Sequence, residues 1–177
     1  MSKLKVGIVD YGIGNQTSIL NCIKSIGFKG FLTDEIEILN KTDLLILPGV
    51  GAFEPTMRIL KKKNLDKYLI DQGNNNKPII GICLGMQLLG KTSSEKGMNK
   101  GLDLIPGRVD ILSDEEPFHI GWNSLKILKN NNLILDEKNY FYFNHSYAFK
   151  EIRNYSICSS NHAGIKFNSI IRKNNIV

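Results

Sequence analysis

The sequence predicts an α/β fold in three layers: a largely parallel central sheet with helices on both faces, and additional β-strands in the second half. Three observations carry this expectation. Short, almost wholly apolar runs at Val6-Gly7-Ile8-Val9, Leu44-Leu45-Ile46-Leu47 and Pro78-Ile79-Ile80 punctuate the first half, and strands apolar on both faces belong to sheets covered on both sides. Each run leads into a glycine-rich loop and then a helical pattern, an alternation that builds parallel sheets. Beyond Gly101 the helical periodicity fades, and short strand-like runs joined by polar turns replace it.

In order along the chain, the first strand is followed by the loop Tyr11-Gly12-Ile13-Gly14-Asn15, and then Ile19, Leu20, Ile23 and Ile26 recur at helical spacing until Gly27 stops them. The second strand meets Pro48-Gly49-Val50-Gly51, after which Pro55 opens a helix that ends at Lys61-Lys62-Lys63, where cations suit the helix dipole. The third strand turns at Gly81-Ile82-Cys83-Leu84-Gly85 into the helix former Met86-Gln87-Leu88-Leu89. Further strands are expected over 108–112, 124–128, 140–143, 155–159 and 165–170. In such a sheet the active site lies beyond the carboxyl ends of the strands.

Composition bounds the rest. At 177 residues, 42% hydrophobic and 23% charged, the chain is expected to fold as a single domain over 1–177 without metal or disulfide support. The formal charge of +6 is spread along the sequence with no basic motif interleaved with aromatics, which argues for a solvated surface and against a nucleic-acid role. The asparagine runs at 74–76 and 130–132 are given no function. Cys22, Cys83 and Cys158 are odd in number and lack zinc or disulfide-framework spacing. No metal and no cofactor is expected. With no signal segment and no apolar run of membrane-spanning length, a cytoplasmic protein is expected. Cys22, placed on the apolar stripe of the first helix, and Cys158, in a strand, read as structural. His119 and His162 read as ordinary polar positions.

The turn at Cys83 carries the chemistry. A strand bending sharply into a helix, with glycines two residues either side of a nucleophile, is the pattern of a nucleophile elbow. The strain falls on the central residue, and glycine neighbours let backbone and substrate approach. The amino terminus of the following helix points at the sulfur and is expected to favour thiolate over thiol. Backbone N–H groups of the Pro48–Gly51 loop, around Val50 and Gly51, are suited to a developing oxyanion, with the Leu84 amide as a further donor. Gly12-Ile13-Gly14 lacks the third glycine of a dinucleotide fingerprint, and no phosphate-loop signature is present, so a nucleotide site is rejected.

Gly81-Ile82-Cys83-Leu84-Gly85-Met86-Gln87 resembles the nucleophile segment of the class I glutamine amidotransferases. Tyr11 to Asn15, Leu47 to Phe53, His119-Ile120-Gly121-Trp122-Asn123, Gly101 to Gly107 and Asn144-His145-Ser146-Tyr147 extend the likeness, in order, to the glutaminase subunits of imidazole glycerol phosphate synthases. The resemblance implies a class I amidotransferase-like, flavodoxin-like fold. It implies hydrolysis of glutamine to glutamate by way of a Cys83 thioester, with ammonia passed to a barrel-shaped synthase (cyclase) subunit in a heterodimer serving histidine biosynthesis. Gly49, Gln87, Glu95, Ser146 and Tyr147 are implied to bind glutamine, with Glu95 suited to its α-ammonium. Tyr11, Asn15, Trp122, Asn123 and His145 are implied to lie on or near the face shared with the synthase.

The sequence departs from that family in lacking its catalytic histidine and, two residues later, glutamate, expected in a turn after a late strand. The chain ends at Ile176-Val177, so a poor glutaminase truncated from a longer active protein is expected. His145 belongs to a different motif and is not taken as the base. Asp103 and the asparagine-rich insert before Tyr140 also depart from the pattern. Competing readings are a paralogous glutaminase feeding a sugar amidotransferase in surface-polysaccharide synthesis, a non-catalytic partner-binding subunit, and an unrelated cysteine hydrolase with the same elbow.

Overall fold

The computed structural model of the chain describes residues 3–129, 140–150, 152 and 154–177. The insert at 130–132 lies outside them. In the first half, strands β1 (Lys5–Val9), β2 (Lys29–Thr33), β3 (Leu44–Leu47) and β4 (Ile79–Gly81) alternate with helices α1 (Gln16–Ser25), α2 (Ile36–Asn40), α3 (Phe53–Lys62), α4 (Leu65–Asn74) and α5 (Leu84–Leu88). The strands form a parallel sheet in the order β2-β1-β3-β4. The chain's last residues then pair with the free side of β4: Ile176 lies parallel to Ile79, and the Gly81 amide donates to the Val177 carbonyl at 2.7 Å.

Strand side chains alternate between faces, and here the two sides meet different helices. Val6, Ile8 and Ile46 pack with Ile23 and half-buried Ile19 and Leu20 of α1, whereas Val9, Leu45 and Leu47 join Leu39 of α2, Phe53, Met57 and Leu60 of α3, and Leu65 and Leu69 of α4. Burying side chains of this size contributes about 1.5–3 kcal/mol each, so both helix layers are held by the sheet they cover. In α1 the stripe that faces the sheet is Ile19, Leu20 and Ile23. Cys22 sits a third of a turn away and is exposed, which corrects its expected place on that stripe. Cys158 is buried in β12 (Ser156–His162).

The second half is more divided than its sequence suggests. Strands β5 (Gly90–Ser93), β6 (Asn99–Lys100), β7 (Ile105–Ile111) and β11 (Tyr147–Phe149) form a mixed sheet in the order β11-β7-β5-β6. In addition, β8 (His119–Ser124) pairs antiparallel with β10 (Tyr140–His145), while β9 (Lys126–Ile127) and β13 (Ile165–Ile171) flank β12. The run expected as one strand over 124–128 is broken at buried Leu125 into the end of β8 and all of β9. The sequence does not mark the strand at 119–124, because His-Ile-Gly-Trp-Asn has no continuous apolar stretch.

One buried cluster contains residues from both halves, including Leu88, Leu89, Leu104, Val109, Phe149, Ile171 and Ile176. Phe149 of β11 occupies the position where its ring touches Gly90: a Cβ there would lie 2.6 Å from the ring. Phe149→Ala is expected to cost about 3–5 kcal/mol and to lower the melting temperature by roughly 6–20 °C for a chain of this size. Folding of residues 1–177 as one unit requires that far-ultraviolet and tyrosine signals lose structure together in that scan. Two separated transitions would defeat it.

Candidate active site

The elbow is a backbone-on-backbone contact. Cys83 lies between β4 and α5 with φ 56° and ψ −116°, a conformation that a non-glycine residue adopts only when its surroundings enforce it. Those surroundings are the end of β3 and the loop after it. The Ile82 amide donates to Leu47 O at 3.0 Å, and a Cβ on Gly85 would lie 1.8 Å from the same carbonyl oxygen. A Cβ on Gly49 would meet the Gly85 nitrogen at 2.5 Å and Leu84 Cβ at 2.7 Å. The Pro48–Gly51 loop therefore rests directly on the nucleophile turn, and only glycine fits on either side of the contact.

Tyr11, expected on or near the partner face, is only 2% exposed. Its hydroxyl donates to Pro48 O at 2.5 Å and so fixes the base of that loop. Burial, reinforced by the charge of Cys83 when ionised, pushes the phenol up to about 12. Val50 and Gly51 are exposed, and among the described residues neither of their amides has an intramolecular hydrogen-bond partner.

Cys83 is accessible yet set low among its neighbours. Burial pushes its thiol up, and the Leu84 N–H, which favours the thiolate, only partly opposes this. The expected thiolate is corrected accordingly. Helix α5 is five residues long, and its amino terminus does not outweigh the lost hydration.

A cavity of about 470 Å³ opens beside the sulfur, and it brings together Cys83, Gln87, His145 and Tyr147 from three separate segments. Gln87 Nε2 donates to Tyr147 O at 2.8 Å, joining α5 to β11. Apolar side chains of β10 and β13 line the far side, Phe141 and Phe167 among them, and no local pattern in the sequence marked them for the site. Ser146 is the turn between β10 and β11, and its carbonyl accepts the Leu112 amide.

Glu95 does not line this cavity. Its Oε2 accepts the Phe53 N–H at 2.8 Å, so it is anchored at the start of α3, just past Gly51. Asn15 is exposed, and its Oδ1 accepts from the Ser18 hydroxyl. Trp122 is 71% exposed and stands edge-on to Tyr142, with ring centroids 5.7 Å apart. Asn123 faces the opposite side of the same strand and bonds to His119 and to the Asn161 carbonyl.

His119 corrects the expectation of an ordinary polar position. It is buried at 5% exposure and meets both other histidines of the sequence, His145 and His162, at ring-centroid distances of 5.0 and 4.6 Å. Among the described residues no group of three or more His, Cys, Asp or Glu side chains is arranged to hold a metal ion. No helix among them is long and apolar enough to cross a membrane.

Two outcomes follow. Alkylation of Cys83 by iodoacetamide, followed by peptide mass, accelerates with pH to a midpoint above that of an ordinary cysteine; a midpoint below it contradicts the burial argument. Burial and the other two histidines hold His119 down to about 4, and burial also lowers His145. Below about 6.5 the unfolded chain therefore binds protons that the folded chain refuses. Urea midpoints should fall progressively as pH drops from 6.5 towards 4, and a flat profile contradicts this.

The family described as Glutamine amidotransferase class-I matches residues 7–177. The imidazole glycerol phosphate synthase subunit HisH of Halalkalibacterium halodurans is 36% identical over 181 residues, covering 97% of this chain and 85% of that protein. The subunit of the same name from Methanothermobacter thermautotrophicus is 40% identical over 173 residues, covering 97% and 86%. In fold, a crystal structure of a glutamine amidotransferase superposes with a TM-score of 0.73 at 13% identity, over 97% of this chain and 86% of the other. PurLQS from Thermotoga maritima superposes with 0.69 at 16% identity, over 99% and 85%. The chain belongs to the class I glutamine amidotransferases, among the relatives of the HisH subunits of imidazole glycerol phosphate synthase.

Proposed function

We propose that this chain is the glutaminase subunit of an imidazole glycerol phosphate synthase. It hydrolyses glutamine and delivers ammonia to a barrel-shaped cyclase partner in the cytoplasm, in histidine biosynthesis. The observation that carries the reading is the elbow: an accessible Cys83 in a strained turn, with the Leu84 N–H on its sulfur and a loop bearing two unpartnered amides packed against it. The relatives at 36–40% identity favour this over a sugar-amidotransferase paralogue.

In the proposed reaction Cys83 Sγ attacks the side-chain carbonyl carbon of glutamine. The C–S bond forms, the carbonyl oxygen takes the negative charge, and the amides of Leu84, Val50 and Gly51 are suited to hold it. Each such donor is worth about 3 kcal/mol of transition-state stabilisation in comparable sites. As the C–N bond breaks, the amide nitrogen leaves as ammonia with the proton from the thiol. Water then cleaves the thioester, giving glutamate and returning a proton to sulfur.

Gly49, Gln87, Ser146 and Tyr147 border the substrate in this reading, and the second oxygen of Glu95 meets its α-ammonium. Asn15, Trp122, Asn123 and His145 lie on or behind the partner face, and Tyr11 supports the loop from inside. His145 is not the proton carrier, because both of its ring nitrogens are engaged, with His119 and with Tyr147 O. The resemblance assigns that role to a histidine backed by glutamate.

The test uses a diazoketone analogue of glutamine together with purified cyclase subunit. The expected result is a single adduct at Cys83, abolished by Cys83→Ala and by excess glutamine, and a one-to-one complex with the cyclase. Absence of glutamine protection sinks the glutaminase reading. Protection without cyclase binding sinks the pathway assignment and restores the sugar-amidotransferase alternative.

A further inference from the structure

Behind the wall of the Cys83 cavity lies a chain of hydrogen bonds whose direction the chemistry of its members fixes. Tyr147 O is a carbonyl and only accepts, so His145 Nδ1, 3.0 Å away, carries a hydrogen. In the neutral ring Nε2 is then a lone pair, and its neighbour at 3.0 Å, His119 Nδ1, must be the donor. His119 Nε2 is left as an acceptor, and Asn123 Nδ2 meets it at 3.1 Å. The orientation of the Asn123 amide is itself pinned. Its Nδ2 also donates to Asn161 O at 2.8 Å, and its Oδ1 accepts from the Ser124 amide at 2.8 Å.

The series therefore runs one way, from Asn123 through His119 and His145 to the Tyr147 carbonyl, which is the carbonyl that also receives Gln87 Nε2 from the elbow helix. The β8–β10 ribbon places it there. His119 and His145 are cross-strand partners, as are Trp122 and Tyr142, so the ribbon turns histidines inward while Ile120, Trp122 and Tyr142 face solvent. His119 itself does not line the cavity, whereas His145 and Tyr147 do. It is stacked on Phe143 with centroids 4.9 Å apart, and so cannot swing away.

We infer that His119 is a positioning residue for glutamine binding: donating to His145 and accepting from Asn123, it fixes from behind the wall against which substrate sits, and couples that wall to the exposed ribbon. This rests on the glutaminase reading above. His119 holds His145 in one tautomer and one rotamer. His145 in turn shares the Tyr147 carbonyl with Gln87, so the wall and the elbow helix keep a fixed spacing. The histidine is required for its two opposite hydrogen-bonding nitrogens, not for aromatic bulk.

That distinction supplies the test. His119→Phe preserves the stack on Phe143 and removes both hydrogen bonds. His119→Gln loses the stack but offers an N–H to His145 and an oxygen to Asn123. The concentration of the diazoketone glutamine analogue giving half-maximal labelling of Cys83 is expected to rise roughly five- to thirtyfold in the Phe variant, the ratio carried by one or two lost buried hydrogen bonds. The Gln variant should return to within about threefold of wild type, on the scale of fit between similar polar groups. The iodoacetamide rate at Cys83, which needs no wall, stays unchanged in both.

Imidazole nitrogen NMR of the wild-type protein should show both His119 and His145 as the Nδ1–H tautomer. Equal half-saturation in wild type and the Phe variant, or a Gln variant worse than Phe, overturns the relay in favour of simple packing. An Nε2–H tautomer at His145 overturns it even if the Phe variant fails to fold. Absence of analogue labelling in wild type overturns instead the glutamine reading on which the role depends.

Discussion

The site depends on one steric constraint, the approach of the Leu47 carbonyl, Gly49 and Gly85 to distances that leave no room for a side chain. Everything functional is indexed to that contact. It brings the end of β3 against the start of α5, which forces the strained turn at Cys83. It seats the Pro48–Gly51 loop on the same turn, and so sets the distance between the nucleophile and the loop amides. The helices on either side of the sheet exist to make β3 and β4 rigid enough to hold such a contact. Leu45 and Leu47 anchor one layer and Ile46 the other, so a shift of β3 by one residue would exchange its faces and separate loop from elbow.

Electrostatics in the site are dominated by lost hydration. Burial pushes both Cys83 and Tyr11 upward, and the charge of an ionised Cys83 further disfavours ionisation of the phenol. The protonated phenol keeps its hydrogen bond to Pro48 O, so the same desolvation that holds back the thiolate also secures the loop. The Leu84 N–H acts the opposite way, favouring charge on the sulfur. The resting site is therefore preorganised in backbone and restrained in charge. That is the safer arrangement for a nucleophile open to solvent, because burial disfavours the thiolate, the form that reacts with adventitious electrophiles.

Legibility of the sequence followed locality. The parallel half could be read because Val6–Val9, Leu44–Leu47 and Ile79–Ile80 are continuous apolar runs with glycine loops behind them. The elbow could be read because its glycines and cysteine are adjacent. What could not be read is what pairing creates. His119 and His145 are 26 residues apart and became neighbours through the register of two strands, one of which has no apolar periodicity. The burial of Tyr11 is equally non-local, because its side chain turns in to reach the Pro48 carbonyl 37 residues away. The sequence marks Glu95, but the bond of its carboxylate to the Phe53 amide depends on how β5 ends against α3. Cys22 lies a single helical position from buried Ile23 and is exposed.

The β8–β10 ribbon has a consequence for observation. Its inner side is occupied by histidines and Phe143, and its outer side carries Trp122, the only tryptophan in the sequence, standing open to water beside Tyr142. Indole emission is sensitive to hydration, and the whole tryptophan signal of this protein originates from one ring on one surface. The molecule thus carries a native optical reporter: any body that dries that side of the ribbon shifts the emission to shorter wavelength, and the colour of the light records whether the ribbon is covered.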